Sequence, residues 1–211
     1  MHNITLIGMP GSGKTTFGKT LAAGLSYHFI DTDDVIIQTY HKPLMELIDE
    51  YGTEGFITLE GKVLQSIYTN QAVISTGGSA VYSDDAMQYL KSTGIVIYLH
   101  HQLDVLTQRV GNLVTRGVVC HSGCTTLEDL YEERCPLYEK YADLTVDFTG
   151  CSVEQCSEKP KEYSTDGNYD AYDYSSLPVS VPSTIGWNTQ YWSHVYNAAS
   201  MVYSPKVNTD V

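Results

Sequence analysis

Short continuous apolar runs alternate with stretches whose apolar positions recur at helical spacing. The runs predict strands over 4–7, 28–30, 72–75, 95–99 and 144–146. The periodic stretches predict helices over 14–25, 43–51, 55–68, 84–92, 103–110 and 126–141. A further short helix is expected to run into Val35-Ile36-Ile37, with one of the preceding aspartates, Asp34, as its cap. Strands that are apolar along their whole length are buried on both faces, which predicts an α/β protein with a parallel sheet between helical layers. In such sheets ligands bind beyond the carboxyl ends of the strands. Three polar clusters fall there: 8–15 after the first strand, 31–34 after the second and 76–79 after the third.

Near Pro160 the pattern changes. Residues 160–211 hold both tryptophans and many tyrosines, with little leucine or isoleucine. The stretch 163–176 is polar and turn-rich and predicts a linker or disorder. Residues 177–182 contain two prolines and are expected to be extended. Trp187, Tyr191, Val195, Ala199 and Val202 recur at helical spacing, which reads as a weak helix packed onto the domain, as disorder, or as a docking surface for a partner. The division expected is therefore a domain over 1–159 and an irregular extension over 160–211.

Composition narrows the choice of partner. The 211-residue chain has a net charge of −13, which argues against nucleic acid and anionic membranes. No apolar run is long enough to span a bilayer and the N-terminus does not read as a signal peptide, so a cytoplasmic location is expected. Five cysteines, an odd number, are expected to be reduced thiols. Cys120-His121-Ser122-Gly123-Cys124 lacks the second paired element of a zinc site, so no metal is expected there.

Gly8-Met9-Pro10-Gly11-Ser12-Gly13-Lys14-Thr15 is Gly, four residues, Gly-Lys-Thr, set between a strand and a helix. That context makes it a phosphate-binding loop. Its glycines let backbone N–H groups turn inward, and the helix start adds unpaired N–H groups and a positive dipole end. Lys14 supplies a charge for the terminal phosphates and Thr15 a hydroxyl suited to Mg²⁺. Asp31 is placed to hold Mg²⁺ through water, and Asp33 to face an acceptor hydroxyl as base or hydrogen-bond acceptor.

Four further groups are candidates. Gly77 and Gly78 permit close approach of backbone to a ligand, although a plain turn would look the same. Arg116 lies in an aperiodic stretch, 112–125, that reads as a lid, where an arginine serves a transferring phosphoryl group. Arg109, at a helix end, is either a solvated charge or a stacking partner for a nucleotide base. Arg134 has no carboxylate one turn away in its helix. It is either a solvated charge near a kink at Pro136 or an anion contact for an acidic substrate.

Taken in order, the phosphate loop, Asp31-x-Asp33, Thr76-Gly77-Gly78, Arg116 and Arg134-x-Pro136-Leu137-Tyr138 resemble the shikimate kinases over residues 1 to about 159. The resemblance implies a three-layer, nucleoside-monophosphate-kinase-like fold around a five-stranded parallel sheet, with a substrate-binding helical segment after the second strand. It implies transfer of phosphate from ATP, with Mg²⁺, to a small hydroxylated acid, shikimate giving shikimate 3-phosphate. Gly11, Ser12, Gly13, Lys14, Thr15, Thr16 and Arg109 would bind the nucleotide, and Thr15 and Asp31 the metal. Asp33, Gly77, Gly78 and Arg134 would bind the acceptor, and Lys14, Asp33 and Arg116 would be catalytic. A monomer is expected.

The chain departs from the family in three places. Phe56-Ile57 stands where the family has Phe-Arg, whose arginine is a main contact to shikimate's carboxylate. Losing one buried guanidinium contact to an anion is worth about 1.5–3 kcal/mol. Ser79 replaces a third glycine, and Gly117-Val118 follow the lid arginine in place of Pro-Leu. Two other readings follow: the same chemistry on another small hydroxy acid or hydroxy amino acid, or a nucleotide-binding regulatory module without turnover.

Overall fold

The computed structural model describes residues 3–110, 119–120, 124, 126–148 and 179–180. Strands β1 (Asn3–Ile7), β2 (His28–Asp31), β3 (Ala72–Ser75), β4 (Gly94–His100) and β5 (Leu144–Asp147) pair in parallel in the order β2-β3-β1-β4-β5. A short sixth strand, β6 (Val179–Ser180), runs antiparallel to β5. It falls within the proline-flanked stretch expected to be extended, because only extended backbone can pair with an edge strand. The candidate helix at 187–203 lies outside the described residues.

Helices α1 (Lys14–Leu25), α2 (Thr32–Tyr40), α3 (Leu44–Gln65), α4 (Asp84–Thr93), α5 (Leu103–Val110) and α6 (Leu127–Tyr141) fill the connections. Alternate strand residues feed two cores, as the pleat requires. Ile95, Ile97 and Leu99 of β4 pack with Phe17 and Leu21 of α1 and Val105 of α5. Val96 and Tyr98 pack on the other face with Met87 and Leu90 of α4 and Leu130 and Tyr138 of α6. A third cluster, Ile36, Leu47, Phe56, Ile57, Leu59, Val63 and Val119, joins α2 to α3 beside the strand ends.

One sequence expectation changes, the cap of α2, and the helices expected over 43–51, 55–68 and 126–141 are met with their bounds refined. The helices expected over 43–51 and 55–68 are one element, α3, broken at Gly52, whose φ of 69° and ψ of 176° leave the helical region. The cap of α2 is Asp31, whose side chain accepts the Asp33 N–H at 3.2 Å, because the helix begins at Thr32 and leaves Asp34 inside it. Helix α6 runs from Leu127 to Tyr141 through Pro136. A capping box at its start, Thr126 with Asp129, satisfies two terminal N–H groups.

Candidate active site

The loop after β1 is fixed by close backbone packing. Gly8, Gly11 and Gly13 have φ of 146°, 79° and 85°, the region glycine enters without strain. A Cβ on Gly8 would lie 2.8 Å from the Leu99 carbonyl, and one on Gly11 2.6 Å from Val110 Cγ2. Ser12 N–H closes a turn onto Met9 O at 3.1 Å. His101 Nε2 meets Ser12 O at 3.0 Å, tying the loop to the end of β4. The loop then opens into α1, whose first amides face the cleft with no side-chain cap.

Lys14 Nζ folds back over the loop, donating to Gly8 O at 2.7 Å and Met9 O at 3.0 Å. Burial pushes its ammonium down to about 8, against the pull of Asp33 and Asp31. Thr15 Oγ1 donates to Asp31 Oδ2 at 3.0 Å. This hydroxyl and carboxylate are the hard oxygen donors that Mg²⁺ takes, so the pair fits the ion. Asp31 therefore caps α2 with one oxygen and faces Thr15 with the other. Burial and the neighbouring Asp31 raise Asp33 above its ordinary value, with Lys14 opposing.

Four elements hold the segment after β3. Thr76 Oγ1 donates to Leu6 O at 2.9 Å, and Gly77 N–H donates to Thr32 Oγ1 at 3.1 Å. Tyr138 of α6 donates to Gly78 O at 2.7 Å. Ser79 Oγ donates to Glu60 Oε2 of α3 at 2.6 Å. A side chain at either glycine would displace a site residue: a Cβ on Gly77 would lie 2.4 Å from Glu60 Oε1, and one on Gly78 2.6 Å from an Arg134 guanidinium nitrogen.

Arg134 is 1% exposed, which removes the solvated-charge reading. Its Nε donates to the Tyr82 hydroxyl at 3.1 Å, another nitrogen donates to Val119 O, and the guanidinium lies 5.1 Å from the centre of the Tyr82 ring. Tyr82 in turn donates to Glu133. Arg109, in the last turn of α5, donates to Gly11 O at 3.3 Å, over the nucleotide end. One cleft of about 480 Å³ takes in Gly11, Gly13, Lys14, Thr15, Thr16, Asp31, Asp33, Gly77, Gly78, Arg109 and Arg134. Of the remaining expected site residues, Ser12 is buried under the loop, and Arg116 lies outside the described residues with most of the lid.

Sequence reasoning missed Glu60. It lines the cleft yet is 1% exposed. Burial pushes its carboxyl up to about 7, against the Ser79 hydrogen bond. A glutamate inside a helical run reads as a solvent-facing position. The available signal was its place one turn after the departure at Ile57. The expectation of reduced thiols also changes, because Cys120 and Cys124 form a disulfide at the end of the lid stretch. Their Cα atoms are 6.1 Å apart, within bridging distance.

A phosphate loop with its lysine, a hydroxyl–carboxylate pair and an acceptor chamber at the carboxyl ends of a parallel sheet define an ATP-dependent small-molecule kinase. The family model for shikimate kinase matches residues 10–162. The chain belongs to the shikimate kinase family. It is 34% identical over 166 residues to the shikimate kinase of Thermodesulfovibrio yellowstonii, covering 77% of this chain and 95% of that one. The solved shikimate kinase from Acinetobacter baumannii in complex with shikimate is 31% identical, with a TM-score of 0.64 over 72% of this chain and 87% of that one. Threonine synthase-like 1 of Homo sapiens is 35% identical over 159 residues, which is 74% of this chain and 21% of that protein. Among the described residues no helix is long and apolar enough to cross a membrane.

Proposed function

We propose that this kinase transfers the γ-phosphoryl group of ATP to a hydroxyl of a small hydroxylated acid in the cytoplasm. Shikimate, giving shikimate 3-phosphate, is the acceptor that family membership points to. The observation that carries the reading is Arg134, a buried guanidinium that reaches Gly78 and lines the same cleft as Lys14 and Asp33. A guanidinium there suits a carboxylate, and Asp33 in the same cleft would take the acceptor hydroxyl.

The acceptor oxygen bonds to the γ-phosphorus as the bond from that phosphorus to the bridging oxygen breaks, and ADP leaves with the electron pair. The raised Asp33 takes the hydroxyl proton. Lys14 and the loop amides stabilise charge on the phosphoryl oxygens. Thr15 and Asp31 would hold the Mg²⁺ that accompanies ATP, which draws charge from the phosphates. Gly11, Ser12, Gly13, Thr16 and Arg109 are assigned to the nucleotide and Arg116 to the transferring group.

A second reading keeps this chemistry and changes the acceptor to another small hydroxy acid or a hydroxy amino acid. The apolar Ile57, buried with Phe56 and Val119, favours it. The test is ATP consumption by the full chain with shikimate and with a panel of other hydroxy acids, alongside Lys14→Ala. Turnover that depends on both acceptor and Lys14 supports the kinase reading, and unchanged turnover in Lys14→Ala overturns it.

A further inference from the structure

Charge at the acceptor end of the cleft is unbalanced. Asp33 Oδ1 and Glu60 Oε1 both approach the position that a Cβ on Gly77 would occupy, at 3.0 and 2.4 Å, so the two carboxyl groups face each other across that residue. The cations of the cleft have other work. Lys14 lies over the phosphate loop, and Arg134 faces Gly78 and is held by Tyr82 and Val119. With substrates in place Lys14 answers the phosphates and Arg134 the acceptor carboxylate. Among the described residues Glu60 forms no ion pair, and its polar partner is the neutral Ser79 hydroxyl. Arg134 and Lys14 act on Glu60 only from a distance, and burial outweighs them; a buried carboxylate without a direct ion pair is costly, and a hydroxy acid that brings a negative charge of its own does not relieve it.

We propose that the acceptor is a hydroxy amino acid, with its carboxylate on Arg134, its hydroxyl on Asp33 and its ammonium on Glu60. The inference rests on the kinase reading above and chooses between its two acceptors. The ammonium supplies a positive charge in direct contact and holds Glu60 ionised, where burial, against the pull of Arg134 and Lys14, favours the neutral acid. Ser79 fixes Oε2 and leaves Oε1 toward Gly77 and the cleft. Ile57, three residues before Glu60 on α3, is 7% exposed and adds an apolar wall behind Phe56. Where the family carries a second guanidinium, this chain has no charge, and a zwitterion is more positive than a hydroxy acid by that same single charge.

The test uses matched pairs differing only in the amino group: homoserine with 4-hydroxybutyrate, threonine with 3-hydroxybutyrate and serine with 3-hydroxypropionate, with shikimate beside them. The readouts are kcat/KM and ³¹P NMR of the phosphorylated acceptor. The amino member of at least one pair is expected to exceed its partner by about tenfold or more, the scale of a charge-assisted contact. Glu60→Gln is expected to bring that ratio close to one, and Ile57→Arg to shift preference toward the des-amino acids and shikimate. Equal rates within every pair, or shikimate as the preferred acceptor, overturn the inference and leave the kinase reading standing. Transfer to none of the acceptors overturns both. Should Glu60→Gln not fold, the ratio in Ile57→Arg decides the matter, and an unchanged ratio there counts against the proposal.

Discussion

Glu60 carries its own account of stability. Its ordinary value is 4.5 and in the folded chain it is about 7. Between these values the native state keeps a proton that the unfolded state has lost, so the contribution of this group to stability falls as pH rises from about 4.5 to 7. Above pH 7 the whole penalty is present, on the order of 3 kcal/mol for a shift of this size. Glutamine keeps an oxygen for the Ser79 hydroxyl and carries no charge. Glu60→Gln is therefore expected to raise the melting temperature of the ligand-free protein at pH 8 and to leave it little changed at pH 4.5. Thermal unfolding at the two pH values checks this, and an equal shift at both would mean that Glu60 is not held neutral by burial. Lys14 works in the opposite sense. Its value is lowered to about 8, so the free enzyme loses this charge as pH rises through 8. The KM for ATP is accordingly expected to climb above that pH, read from initial rates at saturating acceptor. A flat KM across that range would mean that Lys14 stays protonated, or that its charge does not bind the phosphates.

At the scale of elements, the turn after β3 is where β1, α2, α3 and α6 meet, and it transmits their positions to the acceptor end. Gly78 has a guanidinium nitrogen of Arg134 2.6 Å from where its Cβ would stand, and Tyr138 of the same helix holds its carbonyl. Gly78→Ala must therefore displace Arg134 or the turn. It is expected to raise the acceptor KM by about tenfold or more, the worth of a lost charge-assisted contact, with the ATP KM within about threefold of wild type. Steady-state kinetics with each substrate varied in turn separates the two, and equal effects on both would place Arg134 outside acceptor binding. The same scale shows what was readable from sequence. The five parallel strands were, because burial on both faces writes a continuous apolar run. So was the break near Gly52, where the periodic pattern lapses. The cap of α2 was not. Asp31, Asp33 and Asp34 offer equivalent side chains, and the first residue with helical dihedrals decides between them. The phosphate loop is local and was legible whole, whereas Glu60 acquires its meaning from Gly77 and Ser79, brought to it by the fold.

On the scale of the molecule, the chemistry gathers at the ends of β1, β2 and β3, while β6 lies at the far edge in the order β2-β3-β1-β4-β5-β6. The extension enters the sheet through two pairs, Thr145 with Ser180 and Val146 with Val179. Leu144 and Val146 are already buried beneath the helices, so the inner face of β5 does not depend on β6 for its packing. Removing residues 160–211 is expected to leave transfer within about threefold and to lower the melting temperature by about 2–4 °C, the effect of roughly 1 kcal/mol in a domain of this size. The larger consequence is exposure of the free edge of β5, whose unpaired N–H and C=O groups invite pairing between copies. The shortened chain is thus expected to self-associate with rising concentration, measured by light scattering, while its kcat at low concentration stays near that of the full chain. Loss of transfer in dilute solution would instead make the extension part of the structure that holds the acceptor site, three strands away from where it joins the sheet.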